Sequence, residues 1–177
     1  DTSRAETVSF AADRYAKKHG IIITGDGGQY VSRTFGFPDQ YPSVSAPNLF
    51  APGPIAHRNS AGGAGRFRTD VTFHVSRQPA GVPGFAAVFI DADHPDIGPS
   101  SLRVFDRLGK AMGEPRVVKG GNASQVFCGV LAVDGGGNLV PTVGRVHIVN
   151  GRNWPGVNEG EGTALDDFLF AEPVREP

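Results

Sequence analysis

The stretch ThrAspValThrPheHisValSer at residues 69–76 decides the fold. Val71, Phe73 and Val75 alternate with Asp70, Thr72, His74 and Ser76. A chain with that period of two is a half-buried strand, one face turned to a core and the other to water. Downstream, Phe85–Ile90 is continuously apolar and is expected to be buried on both sides. Leu102–Phe105, Gln125–Val133, Val140–Val149 and Ala164–Phe170 read as further strands. Turn chemistry separates them: AspHisProAspIleGlyPro at 93–99, AspGlyGlyGlyAsn at 134–138 and GlyArgAsnTrpProGly at 151–156.

Upstream, ThrValSerPhe at 7–10 reads as a short strand, and the residues through His19 as about two helical turns closed by Gly20. IleIleIleThr at 21–24, GlyAspGlyGly at 25–28 and TyrValSerArgThrPhe at 30–35 make a hairpin candidate. Residues 36–68 show no sustained period and are expected to form a long surface excursion, either a binding loop or a flap over one end of a sandwich. Many short strands with one plausible helix point to an all-β fold. The expectation is a single antiparallel β-sandwich domain over residues 1–177, with one short N-terminal helix.

Composition agrees. The 25 Gly and 14 Pro suit a chain that turns often, and 177 residues suffice for one core without disulfides. Seventeen Lys and Arg against 18 Asp and Glu, with no basic run, argue against a nucleic-acid partner. Every apolar run is far shorter than the ~20 residues of a membrane span. Cys128 lies in an apolar strand pattern and reads as a small hydrophobe, with a nucleophilic thiol as the alternative. A start at Asp1 rather than Met is read as processing, by removal of an export signal or by choice of the expressed segment.

Two acidic constellations invite a metal. Asp91, Asp93 and Asp96 lie where a strand runs out into a loop, at a spacing that suits the oxygen-rich, flexible coordination of Ca²⁺. Their alternative is strand termination with bonds to nearby amides. Asp166 and Asp167 are adjacent in the last strand, so they are expected on opposite faces, and whichever is buried needs a cation or backbone donors. The five histidines are too scattered for a metal motif, although His74 and His147 both sit in strands among polar residues. There is no GlyXaaSerXaaGly nucleophile turn. Paired carboxylates for glycoside cleavage are available from Glu159, Glu161, Asp134 and Asp106, but no spacing selects them, and no catalytic residue is assigned. For a sugar ligand the ingredients are Trp154, Tyr30 and Tyr41 as stacking rings and Asn153 and Asn158 as hydrogen-bonding amides.

Several segments in order also resemble a known group. They are ThrValSerPhe at 7–10, TyrAlaLysLysHisGlyIleIleIleThr at 15–24, SerAlaProAsnLeuPhe at 45–50, ThrAspValThrPhe at 69–73, GlyPheAlaAlaValPheIleAspAlaAsp at 84–93, SerLeuArgValPheAsp at 101–106 and LeuAspAspPheLeuPheAlaGluPro at 165–173. Together they are similar to exported bacterial proteins built on a galactose-binding-like jelly roll, of carbohydrate-binding-module type. The resemblance implies a β-sandwich, secreted or at the cell surface, with carbohydrate or glycan as its partner. It also implies a structural calcium ion, with a carboxylate near the final strand, Asp166 or Asp167, among the ligands. It does not imply catalysis. The chain departs from the group in its excursion at 36–68 and in having one tryptophan. A small glycan-active hydrolase or lyase and a structural assembly module are the alternatives.

Overall fold

The computed structural model describes residues 8–9, 11–25, 29–32, 49–52, 68–90, 92, 99–121, 124–150 and 164–175. The strands are β1 (Val8–Ser9), β2 (Ile21–Gly25), β3 (Gln29–Ser32), β4 (Leu49–Pro52), β5 (Arg68–Val75), β6 (Gln78–Pro79), β7 (Gly84–Ile90), β8 (Ser101–Asp106), β9 (Arg116–Val117), β10 (Gln125–Leu131), β11 (Val143–Val149) and β12 (Ala164–Phe170), with one helix, α1 (Ala16–His19). They form two antiparallel sheets. The first runs β1-β3-β4-β12-β7-β10, and the second runs β2-β5-β11-β8-β9 with β6 beside β5. The fold is thus the all-β sandwich that the alternation demanded. No helix among the described residues is long and apolar enough to cross a membrane.

The core is what the period of two produces. Ile21 and Ile23, Val71 and Phe73, Leu102 and Val104, and Val146 and Ile148 are buried from the second sheet, and Phe85, Ala87, Phe89 and Leu165 from the first. Phe73 meets Phe85 at 6.3 Å and Phe170 at 5.7 Å between ring centroids, so aromatic contacts bridge the two layers. Every residue of β7 is buried, as its unbroken apolar run required.

Three local expectations are corrected. The segments at 21–24 and 30–35 are not a hairpin, because β2 pairs with β5 in the second sheet and β3 pairs with β1 and β4 in the first. The buried pair Ile21 and Ile23 takes its register from Phe73 and Val71, a long-range pairing that outweighs the nearer turn. The excursion at 36–68 contains a strand, β4, too short to show a period by itself and held between β3 and β12. The expected two turns of helix shrink to four residues, closed by Gly20 in the left-handed conformation at φ 67°.

The β5–β6 turn places Ser76 at φ 49° and Arg77 at φ 66°. Two successive left-handed residues fit a two-residue hairpin turn that Asn-Gly occupies more easily. Arg77→Gly is therefore expected to raise stability by about 1 kcal/mol, read as a higher midpoint in denaturant unfolding. An unchanged or lower midpoint would contradict the strain at this turn.

Candidate functional site

Alternation that sends Val71 and Phe73 inward sends Asp70, Thr72 and His74 to the outer face of the second sheet. Register then decides what they meet. Asp70 lies opposite Thr24 and His147, and His147 opposite Arg103, so Thr24, Asp70, His147 and Arg103 form one row across four strands. In the adjacent row Ile22, Thr72, Arg145 and Phe105 are aligned in the same way. Two rows of a sheet thereby gather a carboxylate, two guanidiniums, an imidazole, hydroxyls and an aromatic ring from segments far apart in the chain.

These groups are mutually positioned. His147 Nδ1 lies 3.1 Å from Asp70 Oδ1, and Arg145 Nε lies 3.8 Å from the same oxygen. The Arg145 guanidinium stands 4.1 Å from the centre of the Phe105 ring and that of Arg103 5.6 Å from it, both within cation–π range. Thr72 Oγ1 and His74 Nε2 are 3.0 Å apart. Three nitrogens on this face, His74 Nδ1, Arg103 Nε and Arg145 Nε, are shielded and have no hydrogen-bond partner among the described residues. Each is an unsatisfied polar atom packed within the face, so a ligand would meet the other atoms of these side chains rather than these nitrogens. Of these residues only His74 and His147 stood out in the sequence. Asp70 and His147 are 77 positions apart, and no local pattern joins them to each other or to Phe105.

Of the carboxylates considered for cleavage, Asp106 and Asp134 have other work. Asp106 Oδ1 accepts the Leu108 N–H at 2.9 Å and the Lys110 N–H at 2.8 Å, fastening the turn after β8. Asp134 accepts from Gly136 and Asn138, and the Asn138 side chain and the backbone donors around it hold its pKa below the ordinary carboxylate range. Cys128 is half-buried, and burial pushes its thiol pKa up, opposed by the charge of Arg116. That is the setting of a packing residue rather than an activated nucleophile.

Asp166 is buried, and its Oδ1 accepts the Asp167 N–H at 2.9 Å. The expected alternation of the pair is interrupted. The register with β7 slips between Asp166 and Leu169, and Asp167 takes a left-handed φ of 40°. Slight desolvation, and then the negative charge of Asp166, raise the Asp167 pKa. Two carboxylates supply fewer oxygens than the six to eight that Ca²⁺ takes, and among the described residues no three His, Cys, Asp or Glu side chains converge. Asp91, Asp93, Asp96, Tyr41, Asn153, Trp154, Asn158, Glu159 and Glu161 lie outside the described residues. Tyr30 is described by its place on β3, opposite Ser9 and Ala51.

No protein-family model matches the chain, and no curated protein matches it. Among solved structures it is similar to the enzymatically active domain of tailspike protein 4 from bacteriophage CBA120, at 11% identity and a TM-score of 0.41. The match covers 94% of this chain and 21% of the other, so the chain spans about a fifth of that structure's length. A likeness of that size carries no functional argument.

The raised pKa of Asp167 has a definite sign. Folding disfavours its ionised form, so the penalty is complete above the folded pKa and is relieved as pH falls through that value toward the unfolded one. Asp167→Asn keeps a side chain that tolerates the left-handed region and removes the charge. In calcium-free buffer it is expected to raise the melting temperature at neutral pH, with the gain disappearing below the ordinary carboxylate range. A gain that is independent of pH would contradict the electrostatic cause.

Proposed function

We propose that this chain is an exported, non-catalytic β-sandwich module, of the galactose-binding-like kind, that binds carbohydrate or a cell-surface glycan. The observation that carries the reading is the outer face of the second sheet, where Asp70, His147, Arg103 and Arg145 gather around the Phe105 ring. Sugars offer many hydroxyls as both donors and acceptors beside apolar C–H faces. A site for them combines directed polar groups with an aromatic surface. Asp70 accepts, the arginines donate, the histidine ring nitrogens donate or accept according to tautomer, and Phe105 supplies an apolar edge. The same proposal takes in Tyr30, on β3, and Tyr41, Asn153, Trp154 and Asn158, which lie outside the described residues.

The proposal includes a calcium ion on Asp91, Asp93 and Asp96 with Asp166 or Asp167. Its support is electrostatic, since a cation near Asp166 and Asp167 would offset the desolvation and, after it, the Asp166 charge that raise the Asp167 pKa. Binding without cleavage is favoured because paired-carboxylate hydrolysis needs a second carboxyl group about 5–9.5 Å from the first. On this face Asp70 is engaged by His147 and Arg145, while Asp106 and Asp134 fasten turns. One contact favours a second reading, a small hydrolase or lyase. Asp70 orients His147 through Nδ1 and leaves Nε2 for proton transfer.

A glycan array followed by calorimetry tests the reading. Arg103→Ala and Trp154→Ala are each expected to weaken retention of the bound glycan about tenfold or more, with far-UV circular dichroism unchanged from the parent chain. No retention of any glycan would overturn it. New reducing ends or unsaturated products on polysaccharide panels would instead establish the second reading. Chelation with EDTA is expected to lower the melting temperature, and added Ca²⁺ to restore it. An unchanged melt would remove calcium from the proposal.

A further inference from the structure

A sheet edge carries a row of backbone N–H and C=O groups without strand partners, and proteins blunt such edges by shortness, charge, proline, bulges or a covering segment. Three edge strands here follow that rule. β1 is two residues long, and β9 is two residues long with Arg116. Along β2 the Ile23 N–H donates to the Ala12 carbonyl at 2.9 Å, so the segment before the strand covers its edge. Among the described residues β10 shows none of these devices. It is GlnValPheCysGlyValLeu, without charge or proline, and pairs with β7 in seven consecutive registers without a bulge. Among the described residues no strand lies on its other side. Apolar surface is bare at the same place: Phe127 is 64% exposed and Leu131 73%, and the hairpin beyond adds Val133 at 55% and Leu139 at 57%.

We propose that the chain forms a twofold dimer by antiparallel pairing of β10 with β10 of a second copy, centred on Cys128, which joins the two first sheets into one continuous sheet. The strand's own order selects this occupant and register. About Cys128, Val126 falls opposite Val130 of the second copy on one face, and Phe127 falls opposite Gly129 on the other. A Cβ at Gly129 would come within 2.6 Å of the Ala86 Cβ, so the fold itself requires a bare backbone there. The Phe127 ring of the other copy lies over this bare backbone, an aromatic over an edge glycine. No like charges meet along the pairing. Seven residues at about 3.4 Å each give a contact near or below the ~1,200 Å² of standard interfaces. The dimer is therefore reversible, and its population rises with concentration. It uses no residue of the proposed glycan face and stands independently of that reading.

Sedimentation velocity of the full chain is expected to show a monomer–dimer equilibrium across a wide concentration range. Phe127→Lys, and separately Leu131→Lys, are expected to weaken it about tenfold or more with unchanged far-UV circular dichroism. Both residues are exposed, so the fold tolerates the changes. In this register the two Cys128 Cα atoms fall within the span of a disulfide, about 4.4–6.8 Å. Diamide, which takes up the two thiol hydrogens, is expected at alkaline pH to give a covalent dimer of the parent chain and not of the Phe127→Lys variant. A monomer at every concentration, a dimer that survives both substitutions, or a dimer that does not cross-link through Cys128 overturns the proposal.

Discussion

The rest of the structure depends on the meeting of Phe73, from the second sheet, with Phe85 and Phe170, from the first. These rings fill the space between two layers whose other buried residues are Phe89 with Ile, Val, Leu and Ala. Because side chains alternate along a strand, fixing Phe73 inward fixes Asp70, Thr72 and His74 outward. A slip of one residue in β5 would exchange the faces, burying a carboxylate and an imidazole and exposing Val71 and Phe73. The cost of that exchange holds the register, and the register holds the polar face.

That polar face has a physical unity that its members lack singly. Asp70 orients His147 and draws Arg145 toward itself, and Phe105 lies beneath two guanidiniums. The groups rest on central strands of a sheet rather than on connecting segments, so their spacing is set by backbone pairing on both sides. The opposite sheet shows another logic. Its outer edge ends in β10, which is apolar and uncharged, and there backbone complementarity rather than side-chain chemistry invites a partner.

Much of the sandwich was legible in the sequence because a period of two is a local property. The run 69–76 announced its inward and outward faces, and the unbroken run in β7 announced burial on both sides. Partnership between distant strands left no such mark. The two segments around Gly25 read as a hairpin but belong to different layers, and β4 was too short to stand out from its Gly- and Pro-rich surroundings. The candidate face was legible only in part. In the sequence His74 and His147 stand as strand residues among polar neighbours, whereas Asp70, Arg103, Phe105 and Arg145 gain meaning only when β5, β11 and β8 are set side by side. Alternation also misread Asp166 and Asp167, because a single extra residue in β12 shifts the register.

The most direct measurement is nuclear magnetic resonance of the ¹⁵N-labelled chain, followed through its arginine Nε–H and histidine ring signals during titration with a retained oligosaccharide. The Arg103, Arg145 and His74 signals are expected to move together and to saturate with the binding isotherm, while amides at the centre of β7 stay still. Saturable shifts confined to other parts of the chain, with these three groups unmoved, would contradict the assignment of the outer face of the second sheet.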